Sequence, residues 1–384
     1  RIFGLGDKAG SLDKAGKAFR IETADAMGYN AKQSDPLYKH IPFYICENAI
    51  GCYGIFYDTS DTSYMDFGKE INNYYPPYKY FKTEDDCLVY YVFFGTKLSV
   101  LQQFARLCGK QAFPPNYSCE YCASTMAYPD APRSQEKMEA FLRKLQETDL
   151  SCGGFYLSSG YTSIGTQRYV FHWNREKFPD PQDFIQNFHE NGITVIPNIK
   201  PAFLTSHPLY KTVADNGWFV KNPDGTPFVT EFWDGLGSYL DFTNPGAFIF
   251  WKHQVTEKLL NYGITATWND NNEFDIRDCD AVAVGFGNGT VAAHRIRPLL
   301  TYLMVSASYA AQAEKNPQLR PFLSTRSGNI AVRRLAQTWS GDNTTSFEDL
   351  RYCHYIGLTM SLSGLYFYGH DLGGFHGEMP SREL

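Results

Sequence analysis

Three observations predict an α/β fold, a (β/α)₈ barrel preceded by an antiparallel β-sandwich. From Asn116 onward, short apolar runs alternate with amphipathic stretches of helical period, the rhythm of parallel strands packed under crossover helices. Before that point, runs of period two rich in Tyr and Phe are separated by Gly, Asp and Asn, as in antiparallel sheets. Between them in kind is the stretch Gly263 to Phe274. It starts as an apolar strand and then presents a tryptophan and five polar or acidic groups within six residues, as the carboxyl end of a barrel strand does.

In the first 110 residues, Tyr53 to Asp58 and Leu88 to Phe94 alternate in character and are read as sandwich strands. Leu101, Phe104, Ala105 and Cys108 recur at helical spacing, so residues 98 to 108 form a connecting helix, and Pro114 with Pro115 marks the boundary. The barrel occupies 111 to 384. Its first helix starts at Ser134, a capping residue, and turns Met138, Phe141, Leu142 and Leu145 inward; a buried strand follows at Gly153 to Leu157. Asp180 and Pro181 begin the next helix as cap and first residue, Gly192 stops it, and a strand follows at Ile193 to Ile196.

The segment 203 to 243 is long and irregular, and is expected as a subdomain inserted over the barrel mouth. A helix from Gly246 to Asn261 then leads into the Gly263 stretch. Further on come a helix near Leu299 to Ala313, strands at Phe322 to Thr325 and Ala336 to Trp339, a helix from Ser346 to Met360, and a strand at Gly364 to Tyr368. This gives strands near 120, 155, 195, 266, 323, 337 and 366. A closed barrel needs one more. The chain is therefore expected to be part of a longer polypeptide, as is its opening Arg1-Ile-Phe, which resembles the middle of a β-domain.

Composition excludes several classes of function. A net charge of -6 with no basic run argues against nucleic acid as partner. No stretch of 18 apolar residues appears, so no membrane-spanning helix is expected. Nine cysteines scattered along 384 residues read as reduced thiols, which points to a cytoplasmic location. Cys119 and Cys122 form a CxxC without a second pair at zinc spacing. Aromatic residues make up 16% of the chain, enough to line a sugar cleft as well as a core. Association with further copies of itself is compatible with these features.

In a barrel, catalytic groups come from several strand ends. Here the ends carry Ser158 and Ser159, Asn198 and Lys200, Trp268 with Asp270, Arg326, Trp339 with Asp342, and His370 with Asp371. Carboxylates and tryptophans on different strands suit glycoside hydrolysis, which needs one carboxylic acid to protonate the leaving oxygen and one carboxylate to attack or to activate water. A separation of about 5 to 5.5 Å gives retention through a covalent glycosyl-enzyme. Two carboxyl groups suffice for that chemistry, so no metal or other cofactor is expected, and the partner is an oligosaccharide or glycoside.

The motifs, in order, resemble those of glycoside hydrolase family 31, the α-glucosidases, α-xylosidases and α-transglucosylases. Gly4 to Gly6, Thr23 to Tyr29, Ser34 to Lys39 and Ile41 to Phe43 look like motifs of the family's N-terminal domain. Trp268 to Glu273 resembles its Trp-x-Asp-Met-Asn-Glu nucleophile motif. Thr325 to Gly328 with Trp339 to Thr344 resembles the acid/base segment, and Gly369 to Phe375 the Gly-x-Asp-hydrophobic-x-Gly-Phe motif. The resemblance implies Asp270 as nucleophile and Asp342 as general acid/base. It also implies sugar contacts from Asp25, Trp233, Trp268, Arg326 and Trp339, with Ser158, Asn271 and Asp371 counted among the candidate substrate-binding residues, and a retaining α-glucoside hydrolase as the activity. Glu273, in the same loop as Asp270, is given a supporting role, because the acid must approach from the opposite side of the scissile bond.

Each of these residues also has a plainer structural reading. Asp342 suits a helix cap, Asp25 a turn and Trp233 loop packing, and His370 with Asp371 suits a role in shaping the barrel mouth. Two departures bear on the sugar. Where the family carries Asp-Ile-Asp-Tyr-Met, this chain has Leu157 to Tyr161, with Ser158 in place of the first Asp, and Asn271 replaces the Met after the nucleophile. Losing a carboxylate that binds one hydroxyl alters discrimination at that hydroxyl. α-Galactosidase and α-N-acetylgalactosaminidase activities are therefore kept as alternatives, and α-transglucosylase is kept because transfer against hydrolysis turns on acceptor subsites that carry no sequence motif. A non-catalytic carbohydrate-binding paralogue is a reading of a different class, against which stands the presence of both carboxylates.

Overall fold

Apolar runs flanked by Gly and polar turns become seven short strands in the computed structural model, which describes residues 1–277 and 280–384. These are β1 (Cys122–Thr125), β2 (Gly154–Leu157), β3 (Thr194–Ile199), β4 (Ala266–Asn269), β5 (Phe322–Thr325), β6 (Gln337–Trp339) and β7 (Tyr368–Gly369). They form one sheet in chain order, and every pair in it is parallel. Sequential parallel pairing requires crossovers. Five are helical: α1 (Ser134–Thr148), α2 (Pro181–Glu190), α3 (Pro245–Lys258), α4 (Arg297–Lys315) and α5 (Phe347–Leu362). Between β5 and β6 the chain makes no α-helix but a two-residue strand, Gly328–Asn329, paired with Lys39–His40, and a 3₁₀ turn, Ile330–Arg334.

Capping chemistry sets most helix starts. The Asp180 side chain accepts from the backbone N–H groups of Gln182 and Asp183, both at 3.1 Å, with Pro181 in the first turn of α2. Ser346 caps α5 through the N–H of Asp349 at 3.0 Å. Ser134, expected as the cap of α1, is instead its first helical residue. Its hydroxyl turns back to the carbonyls of Pro129 and Ala131, and Arg133 occupies the cap position with no side-chain bond. The last strand also differs from expectation. Gly364, at φ +87°, belongs to the turn that ends α5, where Leu365 N–H returns to the carbonyl of Met360, so pairing begins only at Tyr368.

The segment 203 to 243 is more ordered than its composition suggests. It holds a short helix, Tyr210–Asp215, and a three-stranded antiparallel sheet of Ala202–Leu204, Gly235–Tyr239 and Thr230–Phe232. Phe203, Val213, Phe219, Tyr239 and Phe242 are buried in the same apolar core as Phe155, Phe188 and Trp251 of the barrel.

Toward the N-terminus, two antiparallel sheets face each other. One joins Ile2–Gly4, Phe43–Glu47, Cys52–Tyr57 and Tyr90–Gly95; the other joins Ala18–Ile21, Ser63–Asp66 and Tyr80–Thr83. Leu5, Phe19, Ile21, Tyr44 and Met65 fill the space between them. A second cluster crosses to the barrel, where Tyr38, Ile41, Phe43, Val100 and Phe104 pack with Ile330, Ile356 and Met360. That shared core presses the loops around Thr23 and Tyr38 onto the carboxyl ends of the barrel strands. The cysteines among the described residues are all free thiols. No helix among those residues is long and apolar enough to cross a membrane.

Candidate active site

Strand β4 ends at Asn269, and the next residue, Asp270, stays tied to β3 through its N–H to the carbonyl of Ile199 at 3.0 Å. The chain then turns sharply. Asn271 and Phe274 both adopt left-handed backbone conformations, at φ +46° and +50°, the first on a residue type that tolerates it. Asn272 is drawn beneath, donating to Thr325 Oγ1 at 2.9 Å and accepting from Ser327 N–H at 3.0 Å. The acidic loop is thereby fastened to the end of β5, where Arg326 waits.

Arg326 is 3% exposed and gathers four carboxylates. Its Nε and Nη2 grip Glu273 in a bidentate fork, each at 2.8 Å. Nη1 reaches Asp342 Oδ2 at 2.9 Å, Nη2 reaches Asp25 Oδ2 at 2.9 Å, and Nε lies 3.4 Å from Asp270 Oδ1. The guanidinium also stands over the ring of Tyr38, 5.0 Å from its centroid. Glu273 therefore spends both oxygens on Arg326.

The two central carboxyls are pulled apart in acidity. Burial drives Asp270 up, but the Arg326 guanidinium, the Lys200 ammonium and the Asn198 amide outweigh it and hold Asp270 below the usual carboxylate range. At Asp342, burial prevails over Arg326, and the negative charges of Asp270 and Asp25 add to it, pushing the group up to about 6. Asp270 is thus ionised at a pH where much of Asp342 still carries its proton. Asp371, at the end of β7, is likewise raised to about 7 by burial and by the charges of Asp342 and Asp270.

Lone pairs are distributed unevenly on Asp270. Oδ2 accepts from Asn198 Nδ2 at 2.8 Å and sits 3.4 Å from Lys200 Nζ, whereas Oδ1 is buried and has no hydrogen-bond partner. A buried ionised oxygen with nothing bonded to it is costly in a folded protein and suits a nucleophile.

The remaining expected site residues divide into those drawn into this network and those set around it. Asn271 bridges Lys200 Nζ and Asp25, the latter at 3.1 Å. Trp268 and Trp339 meet edge to face, 5.7 Å between centroids, and the indole N–H of Trp268 is buried without an acceptor. Trp233 is 51% exposed at the hairpin of the 203 to 243 segment, with Lys200 Nζ 4.0 Å and the Arg168 guanidinium 4.9 Å from its ring centre. Ser158 is buried at the end of β2. His370 packs its ring on Tyr368 and keeps Nδ1 buried and unpartnered.

Three contributors went unassigned in the sequence. Asn198 and Lys200 are visible there as polar strand ends, but only the β3–β4 register, which sets Asn198 beside Trp268, turns them toward Asp270. Tyr38 lies within the Ser34 to Lys39 motif. It is fully buried, underlies Arg326 and accepts from the N–H of Asp342 at 3.1 Å through its hydroxyl.

Comparison with known proteins agrees with this architecture. Residues 111–384 match the model of the glycosyl hydrolases family 31 TIM-barrel domain, and residues 1–66 that of the glycosyl hydrolase 31 N-terminal galactose mutarotase-like domain. Alpha-glucosidase 2 of Bacillus thermoamyloliquefaciens is 29% identical over 99% of this chain and 48% of its own length. The alpha-glucosidase of Saccharolobus solfataricus is 27% identical over 98% of this chain and 56% of its own. The chain thus spans about half the length of the curated relatives it matches. In fold it is similar to the Flavobacterium johnsoniae GH31 dextranase solved with isomaltotriose, with a TM-score of 0.84, 22% identity, and 97% of this chain and 45% of that one covered. With a family model matched across its whole barrel, the chain belongs to glycosyl hydrolase family 31.

Proposed function

We propose that this chain carries the catalytic centre of a retaining α-glucoside hydrolase. The observation that carries the reading is the split in acidity around Arg326, with Asp270 kept ionised and one oxygen unspent while Asp342 is raised to about 6. Asp342 gives its proton to the glycosidic oxygen as the bond to the anomeric carbon breaks, and Asp270 Oδ1 closes on that carbon to form a β-linked glycosyl-enzyme. The ionised Asp342 then takes a proton from water, whose oxygen displaces Asp270 and restores the α configuration. Arg326 holds both carboxyls in one frame throughout. The two alpha-glucosidase relatives support glucose as the sugar.

The test uses the full-length protein and aryl α-glycosides. Asp270→Asn is expected to lower kcat/KM on 4-nitrophenyl α-glucoside at least about a thousandfold. Azide chemistry assigns the roles: it should give the β-glucosyl azide with Asp270→Gly and the α-glucosyl azide with Asp342→Gly. Unchanged turnover by Asp270→Asn would sink the mechanism. Faster turnover of the α-galactoside or α-N-acetylgalactosaminide than of the α-glucoside would overturn the sugar assignment alone.

A further inference from the structure

Resting on the glycosidase reading, we infer that Asn198 binds a hydroxyl group of the sugar in the cleavage subsite with its amide oxygen while its amide nitrogen orients the nucleophile. The amide is half spent and half vacant. Asn198 is 3% exposed, its backbone carbonyl accepts from the Tyr161 hydroxyl at 2.9 Å, and its Nδ2 donates to Asp270 Oδ2 at 2.8 Å. An ionised carboxylate only accepts, so the nitrogen must face Asp270 and the orientation of the amide is fixed. The other end, Oδ1, is buried with no hydrogen-bond partner, a state that folded proteins reserve for a role or a ligand.

A second vacant group lies beside it. Asn198 pairs with Trp268 across the β3–β4 register, so in a parallel ladder both side chains project from the same face. The Trp268 indole N–H is buried without an acceptor. On the other side, Leu157 pairs with Pro197, which brings the buried Ser158 into the same row. One group that can donate to an amide oxygen and accept from an indole N–H is a hydroxyl. Lys200 is engaged with Asp270 and Asn271, so the row presents neutral donors and acceptors, matching a neutral pyranose and not an acidic one.

The experiment compares wild type, Asn198→Leu and Asn198→Asp in the full-length protein. The substrates are the aryl α-glycoside that the enzyme turns over and its four monodeoxy analogues. One deoxy position is expected to cost the wild type about 10- to 100-fold in kcat/KM and Asn198→Leu no more than about threefold. Asn198→Asp keeps an acceptor at that place and should keep the discrimination, with its acidic pH limb moved upward by the added carboxylate. If Asn198→Leu slows the parent and all four analogues by one common factor, the residue only orients Asp270 and the inference fails. Should the leucine variant not fold, loss of discrimination in Asn198→Asp overturns it instead. A wild type inactive on every aryl α-glycoside brings down the glycosidase reading and this inference with it, whereas additive effects in an active enzyme remove this inference alone.

Discussion

In the proposed reaction a proton on Asp342 is needed at the start and its absence at the end, and this residue's surroundings put that exchange close to pH 6. Because burial and the neighbouring carboxylates raise Asp342 to about 6 in the folded protein, its ionised form is disfavoured by folding. The effect is absent below the ordinary carboxyl range, near pH 4, and grows as pH rises toward 6. Asp342→Asn should therefore stabilise the protein at pH 7, by at most about 3 kcal/mol, while abolishing catalysis on poor leaving groups. Thermal melts of both proteins at pH 4 and pH 7 would show the gain only at the higher pH. The Lys200 ammonium pulls both Asp270 and Asp342 downward, against the burial that raises them. Lys200→Met should consequently displace both limbs of the kcat/KM profile to higher pH, and an unmoved profile would show that Lys200 does not act on their charge. At this scale Asp270, Asp342, Arg326 and Asp25 were legible as motif residues. Asn198 and Lys200 were legible only as polar strand ends, since their task depends on which strand lies beside theirs.

Elements set the aim of these side chains. The turn after β6 passes through Gly341, at φ +74°, and a β-carbon there would come within 2.1 Å of the Tyr38 ring. Both facts require glycine. Gly341→Ala would push Tyr38 from beneath Arg326 and shift Asp342, with an expected loss of roughly 100-fold in kcat/KM and about 1–3 kcal/mol of stability. The helix cap Asp180 offers the contrast. Asp180→Ala should cost about 1 kcal/mol and leave kcat/KM within twofold, because the Asp180 carboxylate is spent on the first turn of α2 and not on the groups around Arg326. Helix periodicity and caps were readable because they are local. The true start of α1 and the late start of β7 were not, since Ser134 bonds backward and Gly364 is claimed by the end of α5.

For the whole molecule, the candidate site belongs to two parts of the chain at once. From the N-terminal region, Thr23 Oγ1 donates to the carbonyl of Glu273 at 2.8 Å, Tyr29 to that of Ser340 at 2.8 Å, and Lys39 Nζ to that of Trp339 at 2.9 Å. Asp25 completes the ring of acids on Arg326. Since these contacts and the shared apolar core bind the sandwich to the barrel, the two are expected to unfold together. Urea unfolding followed in parallel by far-UV circular dichroism and by residual activity should give coincident midpoints. An activity loss well ahead of the spectroscopic change would mean that the sandwich loops detach first.

The sequence by itself determined the alternation of strands and helices, the family, and the pair of carboxylates, because hydrophobic period, caps and motif spacing are properties of neighbouring residues. Tertiary structure alone decided that one guanidinium would hold four carboxylates, and that Asp270, one oxygen without a hydrogen bond, would be held below the usual carboxylate range while Asp342 was raised to about 6. Charge and acidity depend on distance and burial: Asn198, Asp270, Arg326 and Asp342 meet only when the barrel strands assemble, and Asp25 joins them only when the sandwich closes on the barrel.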